Sequence, residues 1–124
     1  MDFAENIGIE TISVSTQEVE LKLVVTDKVK QPFGFLHGGV SVALAEHAAS
    51  IGAKAAVPSD HVVFGLEINA NHIKSVSEGV VTAKATPIHQ GRSTQVWQII
   101  ITNESGETIC VSRCTLAVRP SRTK

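Results

Sequence analysis

One segment constrains the fold more than any other. Residues 39–56 read Gly-Val-Ser-Val-Ala-Leu-Ala-Glu-His-Ala-Ala-Ser-Ile-Gly-Ala-Lys-Ala-Ala, a run rich in alanine and without alternation, followed at once by Pro58. Alanine is the best helix former, and proline closes such a segment, so a helix of about four turns is predicted over 39–56. Its surface is apolar or small on nearly every side, and a helix of that kind is expected to be buried all round. It needs a wrapping layer. The rest of the chain supplies one, because it is dominated by β-branched residues (16 Val, 11 Ile and 10 Thr) that suit a pleated surface.

The strands follow from alternation and punctuation. Residues 7–14 read as a first strand, and 18–25 alternate polar and apolar as a half-buried strand does. A long strand is predicted over 62–76, with a bend around Asn69–Asn71. Residues 80–90, 93–103 and 108–118 give three more, separated by Gly91 and by the turn-forming Asn103-Glu-Ser-Gly106. His61 is expected in a loop, and 119–124 as a frayed tail. Consecutive strands with short turns imply an antiparallel sheet. The predicted order β-β-α-β-β-β-β is an α+β architecture in which one curved sheet wraps one helix. With 124 residues, the chain is read as a single domain over 1–124.

Composition narrows the function classes. A net charge of -1 leaves no electrostatic footprint for nucleic acid. No apolar run approaches the ~18 residues of a membrane span, and the opening residues lack a signal peptide's basic and apolar regions. A cytoplasmic location is expected. Cys110 and Cys114, four apart on one strand, would lie about 13 Å from each other, too far for a disulfide, and read as reduced thiols. No metal is expected, because His37 and His47 are ten apart and no ligand-spaced Cys/His pair accompanies the cysteines. Trp97 reads as core. Arg113, Arg119 and Arg122 read as surface charge.

The chemistry should sit where the apolar helix carries polar atoms. Glu46 stands among Ala, Leu and Ile, and burying a carboxylate there costs several kcal/mol unless it is paired or used, roughly the scale of an unsatisfied charge. Ser50 is one turn on and shares its face. The bland alternative is that Glu46 simply faces solvent or a basic partner. Before the helix, Gln31-Pro-Phe-Gly-Phe-Leu-His-Gly-Gly39 ends in two glycines. A glycine-lined helix N-terminus lets an oxygen approach free N–H groups at the positive dipole end, as an oxyanion hole requires.

These residues resemble a known family. The stretch from Gln31 through His37-Gly38-Gly39 to Glu46 and Ser50, with Gly65-Leu-Glu-Ile-Asn-Ala-Asn-His-Ile-Lys-Ser75, is similar to the hotdog-fold acyl-CoA thioesterases. The similarity is to the branch that holds the 1,4-dihydroxy-2-naphthoyl-CoA hydrolases of menaquinone biosynthesis and the phenylacetate and 4-hydroxybenzoyl-CoA thioesterases. The resemblance implies a curved sheet around a central helix and hydrolysis of an aromatic acyl-CoA. It implies Glu46 as the nucleophile or general base. It places His37 and the Gly38 N–H at the thioester oxygen, Gln31 at the carbonyl or the attacking water, and Ser50 beside the carboxylate. It also implies contacts to the pantetheine and nucleotide of coenzyme A from Gly65, from His72, Ile73, Lys74 and Ser75, and from His89, Gln90, Gly91, Arg92, Ser93 and Thr94. No cofactor is implied, coenzyme A being part of the substrate. Phe33 and Phe35 could line an acyl pocket.

Helix geometry adds a partner. Gly39 and Glu46 are about 10 Å apart along a helix axis, whereas oxyanion donor and attacking group must both come within about 3–3.5 Å of one carbonyl. A homodimer with shared sites is therefore expected, with Gln31, His37 and Gly38 of one subunit facing Glu46 and Ser50 of the other, and a homotetramer in keeping with the family. Two other readings stay open. One is a thioesterase for a fatty acyl-CoA or acyl-carrier-protein substrate, and the other is a non-catalytic acyl-CoA-binding module.

Overall fold

The computed structural model describes residues 1–122. The elements run α1 (Phe3–Ile7), β1 (Glu10–Val14), β2 (Val19–Val24), a 3-10 turn (Asp27–Val29), α2 (Gly38–Ala55), β3 (His61–His72), β4 (Val80–Gln90), β5 (Thr94–Thr102) and β6 (Thr108–Pro120). The strands form one antiparallel six-stranded sheet in the order β1-β2-β4-β5-β6-β3, with β3 at an edge.

The core lies between α2 and the concave face of the sheet. Alternate residues of β2 (Val19, Leu21, Leu23), β4 (Val81, Ala83, Ala85) and β5 (Trp97, Ile99, Ile101) are buried against Leu44, Ala45, Ala48, Ala49 and Ala53 of the helix. Small helix residues let it sit close. A Cβ at Gly52 would run into the Trp97 ring, so glycine is what permits that ring to pack against the helix. A buried polar pair ties the helix end to the sheet. The Trp97 indole N–H donates to Gln95 Oε1 at 2.8 Å, and the Gln95 amide donates to the Ala53 carbonyl at 3.3 Å. Both polar side chains are thereby satisfied, as burial demands. Cys110 and Cys114 are buried, unpaired thiols.

Several expectations need correction. Residues 7–14 are not one strand. Asp2 and Glu5 form a reciprocal capping box that starts α1, Gly8 ends it at φ 89°, and β1 begins only at Glu10. The long strand ends at His72, because the N–H groups of Ile73 and Lys74 turn to the Ile109 carbonyl. Its irregularity falls between Gly65 and Glu67, not at Asn69–Asn71: Leu66 is the extra residue of a bulge. His61 is not a loop residue but opens β3 opposite Pro120. Arg119 and Pro120 belong to β6 rather than to a frayed tail, and residues 123–124 lie outside the described residues.

The helix is not buried all round. One face is sealed by the sheet, whereas Glu46, His47, Ser50 and Ile51 are half-buried and Lys54 is exposed. The physical reason is topological. A single curved sheet covers one side of a cylinder and leaves the other open.

Candidate active site

The helix N-terminus is built by a tight loop. Gly34, at φ 92°, turns the chain so that the Gln31 N–H reaches the Phe35 carbonyl at 2.8 Å. The Gln31 side-chain oxygen accepts from the N–H groups of Phe33 (2.7 Å) and Phe35 (3.1 Å). Those bonds orient the amide so that its NH2 end is left as a donor. His37 is the N-cap of α2, its Nδ1 accepting from the Gly39 N–H at 2.8 Å. A neutral imidazole with Nδ1 as acceptor carries its proton on Nε2, so His37 also presents a donor.

A cleft of about 200 Å3 opens at this point, lined among others by Gln31, Phe35, Gly38, Ser41 and His72. The His72 ring packs on the helix start, 3.1 Å from where a Gly38 Cβ would be, so a side chain there would crowd the ring. Ile73, Lys74 and Ser75 line the same cleft. The structure thus joins Gln31, Gly38 and the 72–75 segment as one wall, and His37 sits at its rim as the cap. Lys74 is engaged: its ammonium pairs with Glu107 at 2.8 Å, which holds the Glu107 carboxyl below the usual range, helped by the Asn103 amide.

Glu46 and Ser50 are elsewhere. They line a second cleft of about 320 Å3 on the open helix face, with Ala43, His47 and Phe3. The Glu46 carboxylate lies against the backbone of Gly65, where any side chain would displace it. Gly65 is held facing the helix at the edge of the β3 bulge. The negative charge of Glu46 reaches into the sheet. Burial, then the Glu46 and Glu67 carboxylates, push the Cys114 thiol up to about 12. A third, mostly apolar groove continues along the helix past Ser50, Ile51 and Lys54 to Val62 and Val63.

The turn segment stands apart from both clefts. His89, Gln90, Arg92 and Ser93 are exposed at the β4–β5 turn, closed by the Gly91 N–H to the Thr94 carbonyl at 2.8 Å. The Gln90 amide is committed to the Thr16 carbonyl at 2.7 Å. Phe35 lines the first cleft, and Phe33 is 84% exposed. Phe3 is the neighbour of Glu46 that the sequence reading missed. Its signal was the Asp2-Phe-Ala-Glu5 capping box, which makes the N-terminus helical and brings Phe3 over the open face of α2. Among the described residues no three His, Cys, Asp or Glu side chains gather as metal ligands would.

A helix wrapped by this sheet, with backbone donors at its N-terminus and a carboxylate at mid-length, defines a hotdog thioesterase, and the chain belongs to the thioesterase superfamily, whose family profile matches residues 33–110. It is a thioester hydrolase by that membership. The 1,4-dihydroxy-2-naphthoyl-CoA hydrolase of Listeria monocytogenes is 58% identical over 122 residues, covering 98% of this chain and 99% of that protein. The Escherichia coli protein of the same name is 44% identical over 114 residues, 92% of this chain and 79% of its own length. The crystal structure of a thioesterase from Haemophilus influenzae superimposes with a TM-score of 0.91 at 46% identity, covering 94% of this chain and 82% of that one. No helix among the described residues is long and apolar enough to cross a membrane.

Proposed function

We propose that this chain hydrolyses an aromatic acyl-CoA, with 1,4-dihydroxy-2-naphthoyl-CoA as its substrate, to the free acid and CoA in the cytoplasm. The observation that carries the chemistry is the Glu46 carboxylate held against the Gly65 backbone at mid-length of α2. The substrate rests on the two relatives that bear its name.

In this reading the thioester carbonyl oxygen takes hydrogen bonds from the Gly38 N–H, His37 Nε2–H and the Gln31 amide, at the positive end of the helix dipole. Glu46 removes a proton from water as the water oxygen attacks the carbonyl carbon. The tetrahedral intermediate collapses, the C–S bond breaks, and the thiolate leaves with a proton. Direct attack by Glu46, forming an anhydride that water then opens, uses the same geometry. Ser50 is the polar side chain beside the carboxylate. The 72–75 segment and the 89–94 turn guide the coenzyme, and no cofactor takes part.

The site needs a second subunit. Gln31, Gly38 and Glu46 line different clefts of one chain. A two-fold axis that runs α2 against its copy brings donors of one subunit to the carboxylate of the other. The twelve-residue β3 supports this, since it is an edge strand with Phe64 57% and Leu66 59% exposed. An unpaired edge of that length is an invitation to pair. Dimers of this kind then associate into a tetramer.

The test is a panel of 1,4-dihydroxy-2-naphthoyl-, benzoyl-, phenylacetyl-, hexanoyl- and palmitoyl-CoA. An aromatic member should lead, and a lead by palmitoyl-CoA would refute the assignment. Mixing inactive Glu46→Ala and Gln31→Ala proteins should restore roughly a quarter of wild-type activity, since half the dimers are mixed and each mixed dimer has one intact site. No recovery would show that each site lies within one chain.

A further inference from the structure

One wall of the cleft that holds Glu46 comes from outside the long helix. Of the five lining residues, Ala43, Glu46, His47 and Ser50 stand on one face of α2, and the fifth, Phe3, belongs to α1. We infer that Phe3 is a specificity-determining residue, whose ring packs on the acyl group of the thioester and favours a flat aromatic group over a flexible aliphatic one. The inference rests on the acyl-CoA hydrolase reading above and deepens it, because it names a residue of this chain that selects the acyl group.

Three observations carry it. The first is a ring kept out of the core. No residue of α1 is fully buried, and Phe3 is 61% exposed. Exposure alone is ordinary for a single apolar side chain. Phe3 differs because its ring walls a cleft of about 320 Å3 together with the carboxylate to which the chemistry is assigned.

The second is that the ring is held there. A helix of five residues does not persist unaided. At its start the Glu5 N–H donates to Asp2 Oδ1 at 2.9 Å and the Asp2 N–H to Glu5 Oε1 at 3.3 Å. At its end Gly8, at φ 89°, lets the N–H groups of Gly8 and Ile9 reach the Ala4 carbonyl at 3.0 and 2.9 Å. Ile7 and Ile9 pack against the core. The helix is thus closed at both ends and anchored beyond Phe3, and its one aromatic side chain is delivered to the cleft.

The third is where an acyl group must begin. Glu46, directly or through one water, has to reach the thioester carbonyl carbon. The acyl group starts at that carbon, so its first atoms lie beside Glu46 whichever way its far end runs. The cleft continues through His47 and Ser50 into the groove of Ile51, Val62 and Val63, whose side chains are aliphatic. Phe3 adds the aromatic face. Two rings in offset or edge-to-face contact gain more than their buried area alone, whereas an alkyl chain gains no such pairing and loses rotamer freedom on binding.

The experiment reads the ratio of kcat/KM for benzoyl-CoA to that for hexanoyl-CoA, in which any loss of folded enzyme or of coenzyme binding cancels. Phe3→Leu, which keeps apolar bulk and removes the aromatic face, should lower the ratio about threefold, and Phe3→Ala about tenfold, the span of one lost aromatic pair. Asp2→Ala leaves the ring but uncaps its helix, and should lower the ratio by less than Phe3→Leu. An unchanged ratio in both Phe3 variants overturns the inference. So does a loss that is equal for the two thioesters and vanishes at high enzyme concentration, because Phe3 would then serve only the subunit interface. The wild-type ratio tests the underlying reading separately. A wild type that prefers hexanoyl-CoA refutes the aromatic assignment, while a lowered ratio in the variants still supports Phe3 as the selecting residue. If neither thioester is cleaved, the hydrolase reading fails, and calorimetric titration with the thioethers S-phenacyl-CoA and S-hexyl-CoA reads the same preference. A smaller affinity ratio in the variants supports the inference, and an equal one overturns it.

Discussion

The two faces of α2 follow different rules. Toward the sheet the helix presents Leu44, Ala45, Ala48, Ala49, Gly52 and Ala53, all buried, with Trp97 lying where a Gly52 side chain would be. Toward the β3 edge of the sheet it presents Glu46, His47, Ser50 and Lys54, half-buried or exposed, beside clefts that one chain leaves open. The sealed face is selected by volume. The open face is selected by chemistry, and a carboxylate is tolerated there because it is not enclosed by apolar side chains. The same residue type, glycine, serves both: Gly52 makes room for a core ring and Gly65 makes room for a carboxylate.

That contrast can be broken in a definite order. Glu46→Ala should lower turnover at least a hundredfold, the scale of a lost general base, with little change in unfolding midpoint. Steady-state release of CoA measures the first and urea denaturation the second. A large loss of stability with modest loss of activity would make Glu46 structural. Gly65→Ala should come next, lowering kcat on the order of tenfold by pushing the carboxylate off its seat, because a misplaced reacting group loses effective molarity. The neighbour it meets is the end of a flexible side chain, so stability should hold, and wild-type kcat would show that the Gly65 contact is incidental.

On the sealed face the signs reverse. Gly52→Ala should cost about 1–3 kcal/mol of unfolding free energy by overpacking against Trp97, while kcat per folded molecule stays near wild type. Urea midpoints and tryptophan fluorescence report it. The smallest effect is on pH. The Cys114 thiol is pushed from the ordinary 9.0 up to about 12 by burial and by the Glu46 and Glu67 carboxylates. A raised value means the folded protein holds its proton more tightly than the unfolded chain. The stabilisation is therefore complete below about pH 9 and is lost as pH rises toward 12. Cys114→Ser should flatten that alkaline decline, and native Cys114 should resist thiol reagents at pH 8 until denaturant is added.

Much of the fold was legible residue by residue. The alanine-rich run and Pro58 placed the helix within one residue of its observed ends, and alternation along 18–25 and 80–118 found four strands. The misreadings share a cause. Residues 7–9 look like strand because Ile7 and Ile9 alternate around glycine, yet the Asp2–Glu5 capping box wins locally and makes Phe3–Ile7 helical. The break in β3 was sought at two asparagines, but cross-strand register with β6 set it at Leu66. Arg119 and Pro120 look like a tail until β3 pairs with them.

By itself the sequence determined the helix, its small sealed face, the alternation that curves a sheet over it, and which polar side chains interrupt the apolar run. Those are local or periodic properties, written in neighbouring residues. Tertiary structure alone decided that Gly65 would lie under Glu46 and that Phe64 would meet Arg119 and Arg122. Each of these joins residues far apart in the chain, and each depends on strand register. A slip of one residue would turn every side chain of a strand to the other face.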